Sequence, residues 1–114
     1  MLHESDDRVY ELLIYHAVPG KVGKLEARFR QAAPEIAAHN LDVLGYWVAD
    51  SKPGWEDTFV YLIAHRDRDE AKTNWHSFHT APEFQKYKAA EKEEKLIVQD
   101  DKVFMRPTDF SKLR

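Results

Sequence analysis

Two segments of this sequence are apolar on both faces of a β-strand. Residues 9–18 read VYELLIYHAV and residues 58–65 read TFVYLIAH, and both are rich in β-branched and aromatic side chains. A sheet with one face in water alternates apolar and polar residues, and neither segment does so. Helices can cover only one face of such a sheet, and a bare apolar face on the order of several hundred Å² is unusual on a monomer. We therefore expect a homodimer, in which a second copy covers the other face.

The pattern around these two strands predicts a helix and two further strands. Apolar side chains recur every three or four residues over 21–39, which predicts a helix, and Pro34 inside it predicts a kink near Ala33. A second strand is predicted at residues 43–50 and a last one at residues 103–106. The turn dipeptides Pro-Gly at 19–20 and 53–54 separate these elements.

Two more helices are predicted between the third strand and the last one. Asp67 or Asp69 is a suitable cap for the first helix, whose apolar residues repeat at helical spacing. Residues 80–83 read TAPE, a capping box with proline in the first turn, which opens the second helix. That helix runs into the charged stretch AAEKEEK at 89–95, which we expect to be a solvated face.

The element order is therefore βαββαβ, with the second helical region broken in two. This order is the split βαβ, or ferredoxin-like, motif of the α+β class, a four-stranded antiparallel sheet with helices on one face. A chain of 114 residues with no internal repeat is the size of one domain. We predict that this domain covers residues 8–114 and follows a disordered or extended tail at residues 1–7.

The composition excludes several classes of function. With 17 Lys and Arg against 20 Asp and Glu, the formal charge of −3 does not favour nucleic acid or an anionic membrane surface. The absence of cysteine excludes disulfides, thiolate nucleophiles and Cys-based metal sites. No apolar run is long enough for a membrane span, and the acidic opening MLHESDD has no signal-peptide pattern, so we expect a cytoplasmic protein. Neither a phosphate-binding glycine loop nor a nucleophile elbow is present.

A set of short motifs extends along nearly the whole chain. They are YEL at 10–12 with Tyr15, PGK at 19–21, GYW at 45–47, residues 60–64, PEF at 82–84 and RPTDFS at 106–111. Together these motifs resemble the NIPSNAP family. The resemblance implies a dimeric α/β barrel, in which two ferredoxin-like sheets pack face to face. That architecture also serves cofactor-independent monooxygenases, haem-degrading monooxygenases, haem peroxidases and lyases. The chain departs from the family at Leu13, where many relatives have arginine, and at His65, where tyrosine is usual.

Side-chain size indicates which strand face looks into a cavity between the sheets. Small aliphatic residues suit packing on helices, so we assign the larger residues of the first and third strands to the cavity. The candidate bases there are Glu11 and His65, since a desolvated carboxylate has its pKa raised toward the range of a general base. The candidate substrate-binding residues are Tyr15, Trp47, Phe59, Tyr61 and Arg106.

Each of these candidates also has a structural interpretation. Glu11 could pair with Arg106 or with a backbone donor across the dimer, because buried charges persist mainly when they are paired. The aromatic residues could simply be core. His76 and His79, three residues apart on one helix, could hold a metal or haem iron, or could face solvent at a helix end.

The sequence leads to one main hypothesis and two alternatives. The main hypothesis is a homodimer that binds a small, partly apolar molecule, with cofactor-independent oxygenation of an activated aromatic as the reaction if the protein is an enzyme. The first alternative is a non-catalytic dimerising scaffold. The second is a haem-binding or haem-degrading protein. No cofactor and no metal is predicted for the main hypothesis.

Overall fold

Four strands and three helices make up residues 8–114, the part of the chain that the computed structural model describes. In chain order they are β1 Val9–Ala17, α1 Val22–Ala38, β2 Asp42–Val48, β3 Thr58–His65, α2 Arg68–His79, α3 Pro82–Glu93 and β4 Ile97–Met105. The predicted order, including the broken second helical region, is confirmed. The predicted tail at residues 1–7 lies outside the described residues.

The strands form one antiparallel sheet in the order β2-β3-β1-β4. The first strand is central and pairs with β3 on one side and β4 on the other, so Leu12 lies opposite both Leu62 and Val103. This is the topology of the ferredoxin-like fold, and the predicted α+β class is confirmed.

Several element boundaries differ from the prediction, each for a local reason. The first helix continues through Pro34 to Ala38. The last strand begins at Ile97, six residues earlier than predicted, because pairing with β1 carries its polar residues into the sheet. The capping box is wrong: Ala81 is the N-cap of α3, and the Thr80 hydroxyl instead donates back to carbonyl oxygens at the end of α2.

The large side chains of β1 and β3 face the helices, which corrects the assignment made from side-chain size. Phe59, Tyr61 and Ile63 are buried in one core cluster with residues of α1. The helix presents the small Ala32 toward the sheet and stacks Phe29 on Phe59 with ring centroids 4.7 Å apart. Strand residues are long where the facing helix residues are short, so size alone does not identify the face.

The other face of the sheet is apolar and partly exposed within residues 8–114, although Tyr10 and Ala64 at one end of it are buried. The register assigns alternate residues of all four strands to it: Tyr10, Leu12, Ile14, Trp47, Val60, Leu62, Ala64, Val103 and Met105. The side chains of Trp47 and Val103 are about half exposed, at 51% and 52%. We call this surface the open face.

Trp47 lies on the open face because of a bulge in β2. The register shifts between Val43 and Gly45, so that Tyr46 is opposite Tyr61 and Trp47 is opposite Val60. Without that extra residue, every later side chain of the strand would lie on the other face. The indole of Trp47 lies over Gly45, where a Cβ would come within 2.5 Å of the ring.

Candidate functional site

A cavity of about 830 Å³ lies between the helix-facing side of the sheet and the three helices. Its floor includes Leu13, Tyr15 and Tyr61 of the sheet, and its walls include Leu25, Phe29 and Ala32 of α1, Trp75 and Phe78 of α2, and Phe84 and Tyr87 of α3. This volume is within the range of about 300 to 1,000 Å³ that small-molecule sites occupy. Most of the lining is apolar or aromatic, so polar groups within it carry specificity.

The cavity floor contains a pair of hydrogen-bonded phenols. The hydroxyl oxygens of Tyr15 and Tyr61 are 2.9 Å apart, and the two rings meet edge to face. Burial raises the pKa of both phenols, and that of Tyr61 well above its ordinary value. Both are therefore protonated at neutral pH, and only one of the two protons is used in the mutual hydrogen bond. The second proton is available to an acceptor atom in the cavity.

Glu11 accepts two hydrogen bonds behind the cavity wall. Its Oε1 atom is 2.9 Å from His65 Nε2 and 2.8 Å from Trp75 Nε1, and the side chain is only 1% exposed. Burial acts to raise the pKa of this carboxyl, but the hydrogen bonds and charge of His65, the Trp75 hydrogen bond and the Lys102 charge outweigh it. The pKa is therefore lowered, and Glu11 is ionised at neutral pH.

The ionised Glu11 determines which ring nitrogen of His65 donates a hydrogen bond to it. Since the carboxylate can only accept, His65 carries a proton on Nε2 and donates it to Glu11. His65 Nδ1 is buried and has no hydrogen-bond partner among residues 8–114. Neither Glu11 nor His65 is among the side chains that line the cavity. Their contact with the cavity runs through Trp75, which lines it.

Trp75 connects this buried pair to a histidine at the cavity mouth. The indole stacks on the His79 ring, with ring centroids 5.1 Å apart and ring planes 26° apart. The centroid of the Phe84 ring is 4.7 Å from that of the same imidazole. Partial burial lowers the pKa of His79, and the positive charges of Lys102, His76 and Lys88 lower it further. His79 is therefore a neutral imidazole at pH 7, with proton-accepting capacity.

Two of the predicted binding residues, Tyr15 and Tyr61, line the cavity. Phe59 is 2% exposed and belongs to the core beside the cavity, while Trp47 lies on the open face. Arg106 is exposed and follows β4, since the pairing with β1 ends at Met105. Within residues 8–114, the hydrogen-bond partners of Glu11 are His65 and Trp75, and a pairing with Arg106 across a dimer stays a prediction.

Sequence reasoning missed the contribution of the helices to this site. Trp75 and His79 are four residues apart and therefore share a face of α2. On α3, the residues at 84, 87, 88, 91 and 92 line the cavity at the same helical spacing. The second half of this spacing is charged, which predicts a solvated face, whereas it lines the cavity.

Residues 8–114 contain neither a clustered metal site nor a membrane-spanning helix. No three His, Asp or Glu side chains in this range are grouped as a metal site would require. Over the same range, none of the helices combines the length and the apolar character needed to cross a bilayer.

The comparison with protein families gives a match over almost all of the described chain. The model of the NIPSNAP family matches residues 10–112. The chain belongs to the NIPSNAP family. A NIPSNAP family protein from Agrobacterium tumefaciens has a TM-score of 0.82 and 22% identity, covering 94% of this chain and 99% of that one. An uncharacterised NIPSNAP-like domain protein from Burkholderia xenovorans has a TM-score of 0.79 and 20% identity, covering 93% and 90%.

The fold is also similar to that of a protein that is not described as a NIPSNAP protein. A putative antibiotic biosynthesis monooxygenase from Bacteroides thetaiotaomicron has a TM-score of 0.61 at 14% identity, covering 90% of this chain and 91% of that one. At this identity, the similarity concerns the fold alone. The comparison with curated proteins gave no match.

Proposed function

We propose that this NIPSNAP protein binds a small, partly apolar molecule in the cavity between the sheet and the helices. The observation that carries the proposal is the phenol pair on an otherwise apolar floor, with one proton left for a ligand. A donor in an apolar setting favours a ligand with a matching acceptor, because the hydroxyl otherwise loses a hydrogen bond when water is displaced. The ligand therefore combines an apolar body with a carbonyl, quinone or phenolic oxygen.

A blocked cavity provides the test of binding. The neutral fluorophore N-phenyl-1-naphthylamine brightens in apolar surroundings, and we expect the wild-type protein to bind it. Ala32 is buried on the cavity wall, so Ala32→Phe extends a ring into the cavity and should abolish binding. Ala38→Phe, at the exposed end of the same helix, is the matched control and should bind normally. Equal binding by both variants, or none by the wild type, would favour the non-catalytic scaffold.

We also propose that the protein is a homodimer whose open faces pack together. Four strands of up to nine residues give a surface of roughly 600 Å² in plan, and standard interfaces bury about 800 Å² of accessible surface per partner. The apolar residues along the central strands make this surface self-complementary under a two-fold axis. The cavity lies on the opposite side of the sheet, so dimerisation leaves it accessible.

A second candidate function is cofactor-independent oxygenation of an activated aromatic. It is favoured by the neutral imidazole of His79 at the cavity and by the fold shared with a putative monooxygenase. In this reaction a methylene beside aromatic rings loses a proton to His79, and the resulting carbanion passes its electrons to O₂. The methylene becomes a carbonyl, and the second oxygen atom leaves as water. Glu11, one of the two candidate bases with His65, has a lowered pKa that makes it a weaker base.

Oxygen uptake tests this second candidate. With dithranol as substrate, we expect the protein to consume O₂ faster than buffer, and His79→Gln to reduce the rate to that of buffer. His76→Gln removes an exposed imidazole one turn away on the same helix and should keep the activity. A wild-type rate no higher than in buffer would exclude this reaction and leave ligand binding as the function.

A further inference from the structure

The cavity is cationic although the chain is acidic. Its lining contains five cations, Arg28, Lys88, Lys92, Lys95 and Lys102, against the two carboxylates Glu91 and Asp100. The formal charge of this lining is therefore +3, whereas that of the whole chain is −3. An excess of one sign in a concave site with apolar walls concentrates the field on whatever occupies it.

Three of these cations, Lys88, Lys92 and Lys102, come from two elements, α3 and β4. Lys88 and Lys92 are four residues apart and share the cavity-facing side of α3. Lys102 lies opposite Leu13 in the strand pairing, so its side chain projects from the helix-facing side of the sheet. Both groups line the same cavity as the apolar residues of the sheet and α1.

The cavity lysines differ from their neighbours in having no carboxylate partner within residues 8–114. Lys21 and Lys24, near the start of α1, both bind Glu94 at 2.7 and 2.8 Å, and Arg28 binds Glu91 at 2.7 Å. Among residues 8–114, no ion pair is formed by Lys88, Lys92, Lys95 or Lys102. The stretch AAEKEEK supplies carboxylates next to them, so their free ammonium groups do not result from a local lack of acid.

The positive charges of these lysines influence the pKa of His79. Its ring lines the same cavity, and the positive charges of Lys102 and Lys88 are among the causes of its lowered pKa, after partial burial. The imidazole therefore stays neutral and does not compete with the lysines for an anion.

We propose that the ligand of this cavity is an amphipathic anion, with its apolar body on the floor and a single acid group held by Lys88, Lys92 and Lys102. The acid group is a carboxylate or a group of similar size and charge. This inference rests on the proposed function, because it requires a ligand in the cavity. It adds the charge of the ligand, which the phenol pair does not define.

Two related fluorophores separate charge from apolar contact. N-Phenyl-1-naphthylamine is neutral, and 8-anilinonaphthalene-1-sulfonate has the same rings with one added sulfonate. We expect Lys88→Gln/Lys92→Gln to weaken sulfonate binding about tenfold, since two charge contacts are lost, and to change binding of the neutral probe less than about twofold. Raising the NaCl concentration from about 0.05 M to about 0.5 M should weaken binding of the sulfonate probe but not of the neutral probe.

The control is a charge change of the same size outside the cavity. Lys52→Gln/Lys72→Gln removes two exposed lysines that do not line it and should affect neither probe by more than about twofold. An equal loss of sulfonate binding in the control pair, or no loss in Lys88→Gln/Lys92→Gln, would overturn the inference. The proposed function would then still stand if the neutral probe binds and Ala32→Phe abolishes its binding. If neither probe binds the wild type, both proposals fail.

The blocked variant Ala32→Phe distinguishes the sulfonate probe bound in the cavity from the same probe bound elsewhere on the protein. The open face is apolar and could attract the same fluorophore, but Ala32→Phe does not alter that face. We expect Ala32→Phe to abolish binding of both probes. Persistent sulfonate binding in Ala32→Phe would assign the anion to another surface and contradict the inference.

Discussion

The carboxylate of Glu11 is joined to the indole of Trp75 by a hydrogen bond of 2.8 Å between Oε1 and Nε1. This bond connects the central strand of the sheet to α2 and holds the indole that lines the cavity. The same carboxylate oxygen also accepts from His65, so the wall of the cavity is fixed by a buried charge rather than by apolar contact alone. The account therefore gives Glu11 a positioning role.

Substitution of Glu11 tests that role through stability. Glu11→Gln replaces a buried carboxylate with an amide whose NH₂ group has no acceptor, and we expect it to lower the free energy of unfolding at pH 7 by about 2 kcal/mol. Glu93→Gln, an exposed change on α3, should have almost no effect. Urea unfolding measures both. A Glu11→Gln protein as stable as the wild type would exclude the positioning role and reopen the case for a strained catalytic base.

The pH dependence of stability gives a second signature of Glu11. Its pKa in the folded protein lies below the ordinary value of 4.5, so its contribution to stability is present above pH 4.5 and is lost as pH falls through the folded value. Between pH 4.5 and that lower value, the wild type should therefore lose more stability than Glu11→Gln. Urea unfolding over this range compares them. Parallel profiles would mean that the carboxyl has the same pKa in the folded and unfolded states.

The open face should control assembly. Leu62 lies on the central strand β3 within that face, so Leu62→Asp places a charge in the proposed interface and should convert the dimer to a folded monomer. Trp55→Asp changes an exposed aromatic outside the strands and should leave the dimer intact. Light scattering gives the mass, and circular dichroism confirms the fold. A wild-type monomer would contradict the proposed assembly.

Helix α3 should open more easily than α1. It has no buried residue, and its links to α1 include the ion pairs of Arg28 with Glu91 and of Lys21 and Lys24 with Glu94. Such pairs are screened by salt. We expect the amides of α3 to exchange with solvent faster than those of α1, and high salt to widen the difference. Equal protection of the two helices would show that α3 is as firmly packed as the core.

Haem should not bind in this cavity. The imidazole of His79 packs against the rings of Trp75 and Phe84, and a porphyrin ligated by this imidazole would have to fit beside both of them. We therefore expect hemin titration to give no sharp Soret band. A band at one haem per chain that is lost in His79→Ala, but kept in His76→Ala, would establish the haem hypothesis instead.

The fold followed from sequence more completely than the site did. The two-sided strands and the helical spacing predicted the βαββαβ order, because each pattern is local to one element. The face assignment failed because it depends on what α1 presents to the sheet, and the meeting of Ala32 and Tyr61 in one core cluster is a tertiary relationship. Trp47 changed faces through one bulge residue, which no strand pattern reveals. The partners of Glu11 come from β3 and α2, far away in sequence.

The central claim is that a ligand occupies the space between the sheet and the helices. Intermolecular nuclear Overhauser effects between N-phenyl-1-naphthylamine and assigned methyl groups test it most directly. The account predicts effects to Leu13 and Ala32, which line the cavity, and none to Val60 or Leu62 on the open face. Effects confined to Val60 and Leu62, with none to Leu13 and Ala32, would contradict the account.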